Sequence, residues 1–185
     1  MEKQRCAWTG NIEIMNDYHD KEWGRPLYDD FKLFEFMILE SMQAGLSWLT
    51  ILRKREGYRE AFDNFDPNKI ATYDERKIEE LMLNDKIIRN RLKILAVIHN
   101  AKTYLEFTKK ESFSKFLWSY VDNKPVIGYR QGVEDIPATT AISDKLSKDL
   151  KKIGFKFVGS TTIYAFMQAT GMVNDHVKGC YLYPE

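Results

Sequence analysis

Cysteine is the scarcest chemistry in this chain: two residues among 185, alongside only three histidines. Two cysteines cannot build the disulfide framework of a small secreted scaffold. An excess of charge of one sign is also missing. The 28 basic and 27 acidic residues leave a formal charge of +1, so any contact with phosphate must come from a local patch. No apolar run approaches the ~20 residues that a membrane-spanning helix needs. Residues 1–10 are charged and lack the apolar segment of a signal peptide. No internal repeat or low-complexity tract is visible. The expectation is a soluble, cytoplasmic monomer. With 44% hydrophobic residues, the 185 residues suit one domain with a full core, or two small lobes.

What is present reads as helix almost throughout. Asp29 or Asp30 can cap a helix to about Gln43, with Gly45 as its end signal. Phe31 to Leu39 is apolar at seven of nine positions, which implies burial on most sides. Ser47 can cap a second helix to about Arg55, ended by Gly57. Asp66 before Pro67 starts a short one, and Asp74 caps another to Leu83. A longer helix is expected from about Ile88 to Phe107, with Ile94, Val97, Ile98, Ala101 and Leu105 as its apolar stripe. Ser112 opens a helix to Val121. Residues 122–140 hold Pro125, Gly128, Gly132 and Pro137 and read as a long loop between lobes. Ser143 is expected to cap a basic helix that stops near Gly154, and a mostly apolar helix follows from Ser160 to Thr170. Strand signals are confined to weak hints around Val126–Tyr129. The fold class is therefore all-α.

Both cysteines and two of the histidines fall in two pairs near the termini. Cys6 and His19 form one pair; His176 and Cys180, spaced i, i+4, form the other and suit one face of a helical turn. Two sulfurs and two nitrogens make a closed tetrahedral set for one Zn2+ ion. A closed set leaves no position for an activated water, so such an ion would be structural. It would also close a very long loop, where chain entropy gives the largest gain. On spacing alone, a lone Cys6–Cys180 disulfide or two buried thiols with unrelated histidines stay open. His99, mid-helix and without a neighbouring partner, reads as an ordinary helix residue.

Three of the four tryptophans, Trp8, Trp23 and Trp48, lie in the first 48 residues, and Tyr18 precedes His19. They form either a small aromatic core or a stacking pocket for a flat ligand. Glu40 ends a strongly apolar helix, where the macrodipole disfavours an anion; breaking a local rule in this way is typical of functional positions. A solvated glutamate at a helix end is the plain alternative. Lys86, Arg89, Arg91 and Lys93 crowd a turn between two helices, which suits either docking on a phosphate backbone or a solvated charged face. Lys145, Lys148, Lys151, Lys152 and Lys156 read as plain surface.

Four stretches, YHDKEWG (18–24), LESMQAGLSW (39–48), GFKFVG (154–159) and VNDHVKGC (173–180), closely resemble the 3-methyladenine DNA glycosylase I family. That family is a branch of the helix-hairpin-helix DNA glycosylases. The resemblance spans nearly the whole chain. It implies a single glycosylase domain over 1–185 with two helical lobes. The hairpin motif would lie at about 79–106, and the terminal segments 1–24 and 172–185 would be joined by structural zinc on Cys6, His19, His176 and Cys180. It implies a base pocket of Trp8, Tyr18, Glu40 and Trp48, with Trp23 close by. Leu46 would wedge the DNA stack open, with Gln43, Ala44 and Gly45 in the same turn, and Lys86, Arg89, Arg91 and Lys93 would contact DNA. The implied partner is double-stranded DNA containing alkylated bases. The implied reaction is hydrolysis of the N-glycosidic bond of 3-methyladenine, without the catalytic aspartate common in the wider superfamily. Glu40 would act by recognition and electrostatics. The chain departs from the family pattern at Met15, where a pocket tyrosine is usual, at Lys86, where a hairpin glycine is usual, and at Leu92, where a small residue is usual. Met15 and Lys86 keep a second reading in view, a family member that binds alkylated DNA without cutting it. Direct hydrolysis by the metal would need an open coordination position, which a four-ligand set does not leave.

Overall fold

A helix that is apolar on all sides must be enclosed on all sides, and this one is. In the computed structural model, which describes residues 3–184, every residue from Leu33 to Met42 of α2 (Asp30–Gln43) is buried. Asp29 caps it by accepting from the backbone N–H of Lys32. Around α2 pack α3 (Trp48–Ala61), α6 (Arg91–Thr108), α7 (Phe113–Trp118) and α9 (Ser160–Ala169), while α1 (Glu13–Lys21) lies against α3. The short α4 (Pro67–Ile70) and α5 (Glu75–Leu83) complete the packing on α6, and α8 (Ala141–Ile153) packs on α9. The caps at Ser47, Asp66, Asp74 and Ser112 form as the sequence suggests.

Several expectations need correction. Gly57 does not end α3, which continues to Ala61. Its hydrogen side chain serves close approach instead: a Cβ there would sit 2.6 Å from the carbonyl oxygen of Lys86, so the α5–α6 turn rests directly on α3. Tyr58 accepts from the Ile88 N–H at 3.1 Å, and Lys54 donates to the Asp85 carbonyl at 2.7 Å. The long helix starts at Arg91 rather than Ile88, because the Asn90 side chain caps it. Thr140, not Ser143, is the N-cap of α8; Ser143 closes the capping box three residues on. The loop 122–140 contains β1 (Val126–Ile127), which pairs in parallel with β2 (Val173–Asn174). That pairing lashes the loop to the C-terminal segment, and the Lys178 N–H extends it to the carbonyl of Arg130 at 2.9 Å. Among the described residues no helix is long and apolar enough to cross a membrane.

Candidate active site and metal centre

The N-terminal segment and the C-terminal turn meet at a buried cluster of four side chains. Cys6 precedes a 3-10 turn, and His19 sits in the last turn of α1. His176 and Cys180 lie on a turn after β2 rather than on the helical turn their spacing suggested. Their exposures are 0, 0, 2 and 6% in the order Cys6, His19, His176, Cys180, and the potential ligand atoms all fall within 4.8 Å of one another. Both cysteines are free, so the disulfide alternative is not formed.

The geometry fits a tetrahedral metal. Zinc–sulfur and zinc–nitrogen bonds of about 2.3 and 2.0 Å at tetrahedral angles put sulfur and nitrogen about 3.5 Å apart. Cys6 Sγ lies 3.6 Å from His176 Nδ1, Cys180 Sγ lies 3.5 Å from the same atom, and Cys180 Sγ lies 3.3 Å from His19 Nε2. The outer nitrogens are engaged elsewhere. His19 Nδ1 is 2.9 Å from Asp20 Oδ1, and His176 Nε2 is 3.3 Å from the carbonyl of Trp23. This is the outer hydrogen bonding that fixes the tautomer of a metal-bound imidazole. Asp20 is in turn gripped by both ends of the Arg5 guanidinium at 2.9 and 2.7 Å, which holds its carboxyl well below the usual range. The hydrogen bond to Cys6, with those from His176 and His19, pulls the Cys180 thiol far below the ordinary value, toward thiolate. The closed S2N2 set could hold an ion without offering it to a substrate.

Aromatic side chains stand on this cluster. The Trp23 ring meets His176 edge-on at 4.7 Å between centroids, Trp8 meets Trp23 at 5.0 Å, and Tyr18 leans on Trp48 at 5.4 Å. Together with Met15, Glu40, Gln43 and Gln168 they line a cavity of about 290 Å³. That is the small end of ligand sites, a space for one flat heterocycle. Three polar atoms of these lining residues are buried without a partner within the protein: the indole nitrogens of Trp8 and Trp48, and Glu40 Oε2. Buried polar groups are ordinarily hydrogen-bonded. Two donors and an acceptor of this kind in the wall of one cavity are what an incoming polar edge would satisfy. Glu40 is 3% exposed, so the solvated-glutamate alternative does not hold, and burial pushes its carboxyl up to about 8. Glu35 on the same helix shows the contrast, since it is ion-paired to Arg59 at 2.7 Å.

Beyond the cavity mouth the chain turns sharply. Gly45 takes a φ of +81°, and Leu46 is held out at 39% exposure. Glu40, Gln43 and Leu46 line a second cavity of about 240 Å³ with Thr161 and Thr162 of α9. The basic residues of the α5–α6 turn divide. Arg89 is exposed with no ion pair among the described residues. Lys86 pairs with Glu60 at 2.5 Å, and Arg91 pairs with Glu75. Lys93 differs from its expected place on the surface: it is 7% exposed, and its ammonium donates to the carbonyls of Met42 and Ala44, both at 2.8 Å. The last carbonyls of α2 lack helical partners, and a buried cation satisfies them. Lys86 avoids positive φ, so replacing a glycine there imposes no backbone strain.

Sequence reasoning missed α1 itself, which carries Met15, Tyr18 and His19, and missed the wall residues Ile136, Ala165 and Gln168. The i, i+3 spacing of Ala165 and Gln168 on the apolar α9 was the available signal. Ile136, in an irregular loop, had none.

The profile of the methyladenine glycosylase family matches residues 8–183. A DNA-3-methyladenine glycosylase of Haemophilus influenzae is 51% identical over 177 residues, covering 95% of this chain and 96% of its own length. A solved structure of a 3-methyladenine DNA glycosylase I superposes with a TM-score of 0.95 at 50% identity, covering 98% of this chain and all of the other. A tyrosine-to-phenylalanine variant of such an enzyme, solved in complex with 3-methyladenine, superposes at 0.93 with 42% identity and covers 98% of both chains. Fold, cavity and sequence agree, and the chain belongs to the methyladenine glycosylase family.

Proposed function

We propose that this protein excises 3-methyladenine from alkylated double-stranded DNA by hydrolysing the N-glycosidic bond. The observation that carries the reading is the aromatic cavity with an unpaired, buried carboxyl in its wall. Adenine methylated at N3 is cationic while attached to its sugar. Its departure neutralises the charge, so the base needs no protonation and the bond breaks through an oxocarbenium-like state. A base too deep in the stack to reach is extruded into a pocket. There the electron-rich faces of Trp8 and Trp48 favour a cation over neutral adenine, and Glu40 accepts hydrogen bonds from its edge. Among the described residues, Glu40 is the one carboxylate lining the cavity. Its role is recognition and charge complementarity.

Leu46 fills the gap left by the extruded base, with Gln43 and Gly45 shaping its turn. The α5–α6 segment acts as the helix-hairpin-helix element that docks on phosphate through backbone amides and Arg89, with Lys86 and Arg91 at its edges. Zinc on Cys6, His19, His176 and Cys180 is structural. Its ligand Cys6 and the 3-10 turn after it carry Trp8, and His19 adjoins Tyr18, so the ion holds the pocket wall. The protein acts as a monomer on cytoplasmic DNA.

The non-cutting alternative rested on Met15 and Lys86. Met15 packs into the cavity wall as an apolar filler, and Lys86 leaves the turn unstrained, so neither removes a part the reaction needs. Incubation with methylated duplex DNA, with 3- and 7-methyl purines resolved by chromatography, tests the proposal. Free 3-methyladenine and a matching count of abasic sites are expected. Tight binding to methylated DNA with no free base would establish the alternative.

A further inference from the structure

Lys93 stands at the wrong end of its own helix. It is the third residue of α6, its backbone N–H capped by Asn90 at 3.1 Å, and a cation so near a helix N-terminus opposes the macrodipole. It is also buried, which a lysine rarely is without a partner. Both costs are offset elsewhere: the ammonium reaches across to the C-terminal end of α2 and donates to the carbonyls of Met42 and Ala44 at 2.8 Å each. Those two carbonyls bracket Gln43. Glu40 lies one turn before them and Leu46 two residues after. On the other side, Lys93 is joined through three residues of α6 to the turn that rests on α3 at Gly57 and Tyr58.

We propose that Lys93 is a positioning residue for base extrusion, setting the height of the Leu46 turn relative to the α5–α6 turn. The reading rests on the proposed activity and on Leu46 as the group that enters the stack. With the α5–α6 turn seated on phosphate, the two Lys93 bonds fix how far Leu46 reaches into the duplex. Without them the 43–46 segment keeps its covalent path but loses its tether to α6. A tether of this kind matters when the enzyme must open a paired, stacked site. It matters little when the lesion is already unpaired.

The test compares single-turnover base release from one oligonucleotide, methylated at its single adenine and annealed either opposite thymine or opposite an abasic analogue. Lys93→Met keeps the length and removes the charge. It is expected to lose about tenfold or more on the thymine duplex, the scale of one lost charged hydrogen-bond pair, and to stay within about threefold of wild type on the abasic duplex. Combined with Leu46→Ala, the losses on the thymine duplex should not add, because both act through one turn. Equal losses on the two duplexes, or additive losses in the double variant, overturn the proposal while leaving the glycosylase reading intact. Absence of release by the wild type from either duplex overturns that reading and this one with it. If Lys93→Met does not fold, Lys93→Arg is read the same way, since the bulkier planar guanidinium spreads its donors over a fixed fork instead of placing them on the one compact nitrogen that makes both bonds here.

Discussion

Glu40 is held in a state that water would not allow. Its carboxyl is pushed up to about 8 by burial alone. The unfolded chain ionises this group near 4.5 and the folded chain near 8, so between those values the native state binds the extra proton. Stability therefore falls as pH rises through that window and levels off above it. Glu40→Gln, neutral at all pH, is expected to raise the thermal midpoint by roughly 5 °C or more at pH 8 and by little at pH 5. Scanning calorimetry at the two values checks this; an equal shift at both would mean that the carboxyl is not proton-bound in the free protein. Much at this scale was legible in the sequence. A glutamate closing an apolar helix and two cysteines paired with two histidines both break local rules visibly. The inward turn of Lys93 was not legible, because its partners are backbone carbonyls 49 and 51 residues away, and carbonyls have no sequence signature.

At the scale of elements, capping chemistry carried the reading and tertiary contact defeated it. Asp29, Ser47, Asp66, Asp74 and Ser112 each cap the helix their side chains suit. Gly57 was read as a stop signal because a glycine's backbone freedom looks the same whether it ends a helix or admits a neighbour. The neighbour, the backbone of Lys86, settles which. Gly57→Ala is expected to push the α5–α6 turn off α3, lowering stability by about 1–3 kcal/mol and weakening binding to DNA; denaturant unfolding and a duplex-binding titration measure both, and unchanged values would mean the contact is slack. Arg89, the cation of that turn with no ion pair among the described residues, should act on phosphate without reading sequence. Arg89→Ala should weaken binding to methylated and plain duplex equally and reduce the salt slope by about 1. A loss confined to methylated duplex would place Arg89 in lesion recognition instead. Residues 13–21 formed α1 without having shown a helical signal, since a turn of charged and aromatic residues gains its order from the cluster it packs on.

For the whole molecule, the two ends of the chain close one structure. The ligand atoms of Cys6, Cys180 and the two histidines lie within 4.8 Å of one another; Trp8 tilts against His19, and Trp23 meets His176 edge-on. An ion at this centre would tie fold and pocket to a single event. Elemental analysis should find about one zinc per chain. Cys180→Ser, or metal stripping by a strong chelator, should lower the thermal midpoint and base release together. A stripped protein with unaltered midpoint and activity would show the four side chains to be an ordinary buried cluster. The meeting of the termini was legible because cysteine and histidine are rare here. The cavity beside them was only half legible: its aromatic wall lay in the first 48 residues, but Ile136 and Gln168 arrive from distant segments that long-range packing alone brings together.

The central claim is that a buried carboxyl in an aromatic cavity captures a cationic base. The pH dependence of kcat/KM for 3-methyladenine release tests it most directly, measured in wild type and in Glu40→Gln. An ionised Glu40 complements the cation, so wild-type kcat/KM should rise with pH through a single ionisation near 8, and Glu40→Gln should be weaker by about tenfold or more and flat over the same range. A wild-type profile without that ionisation, or a variant that keeps full activity, would contradict the account.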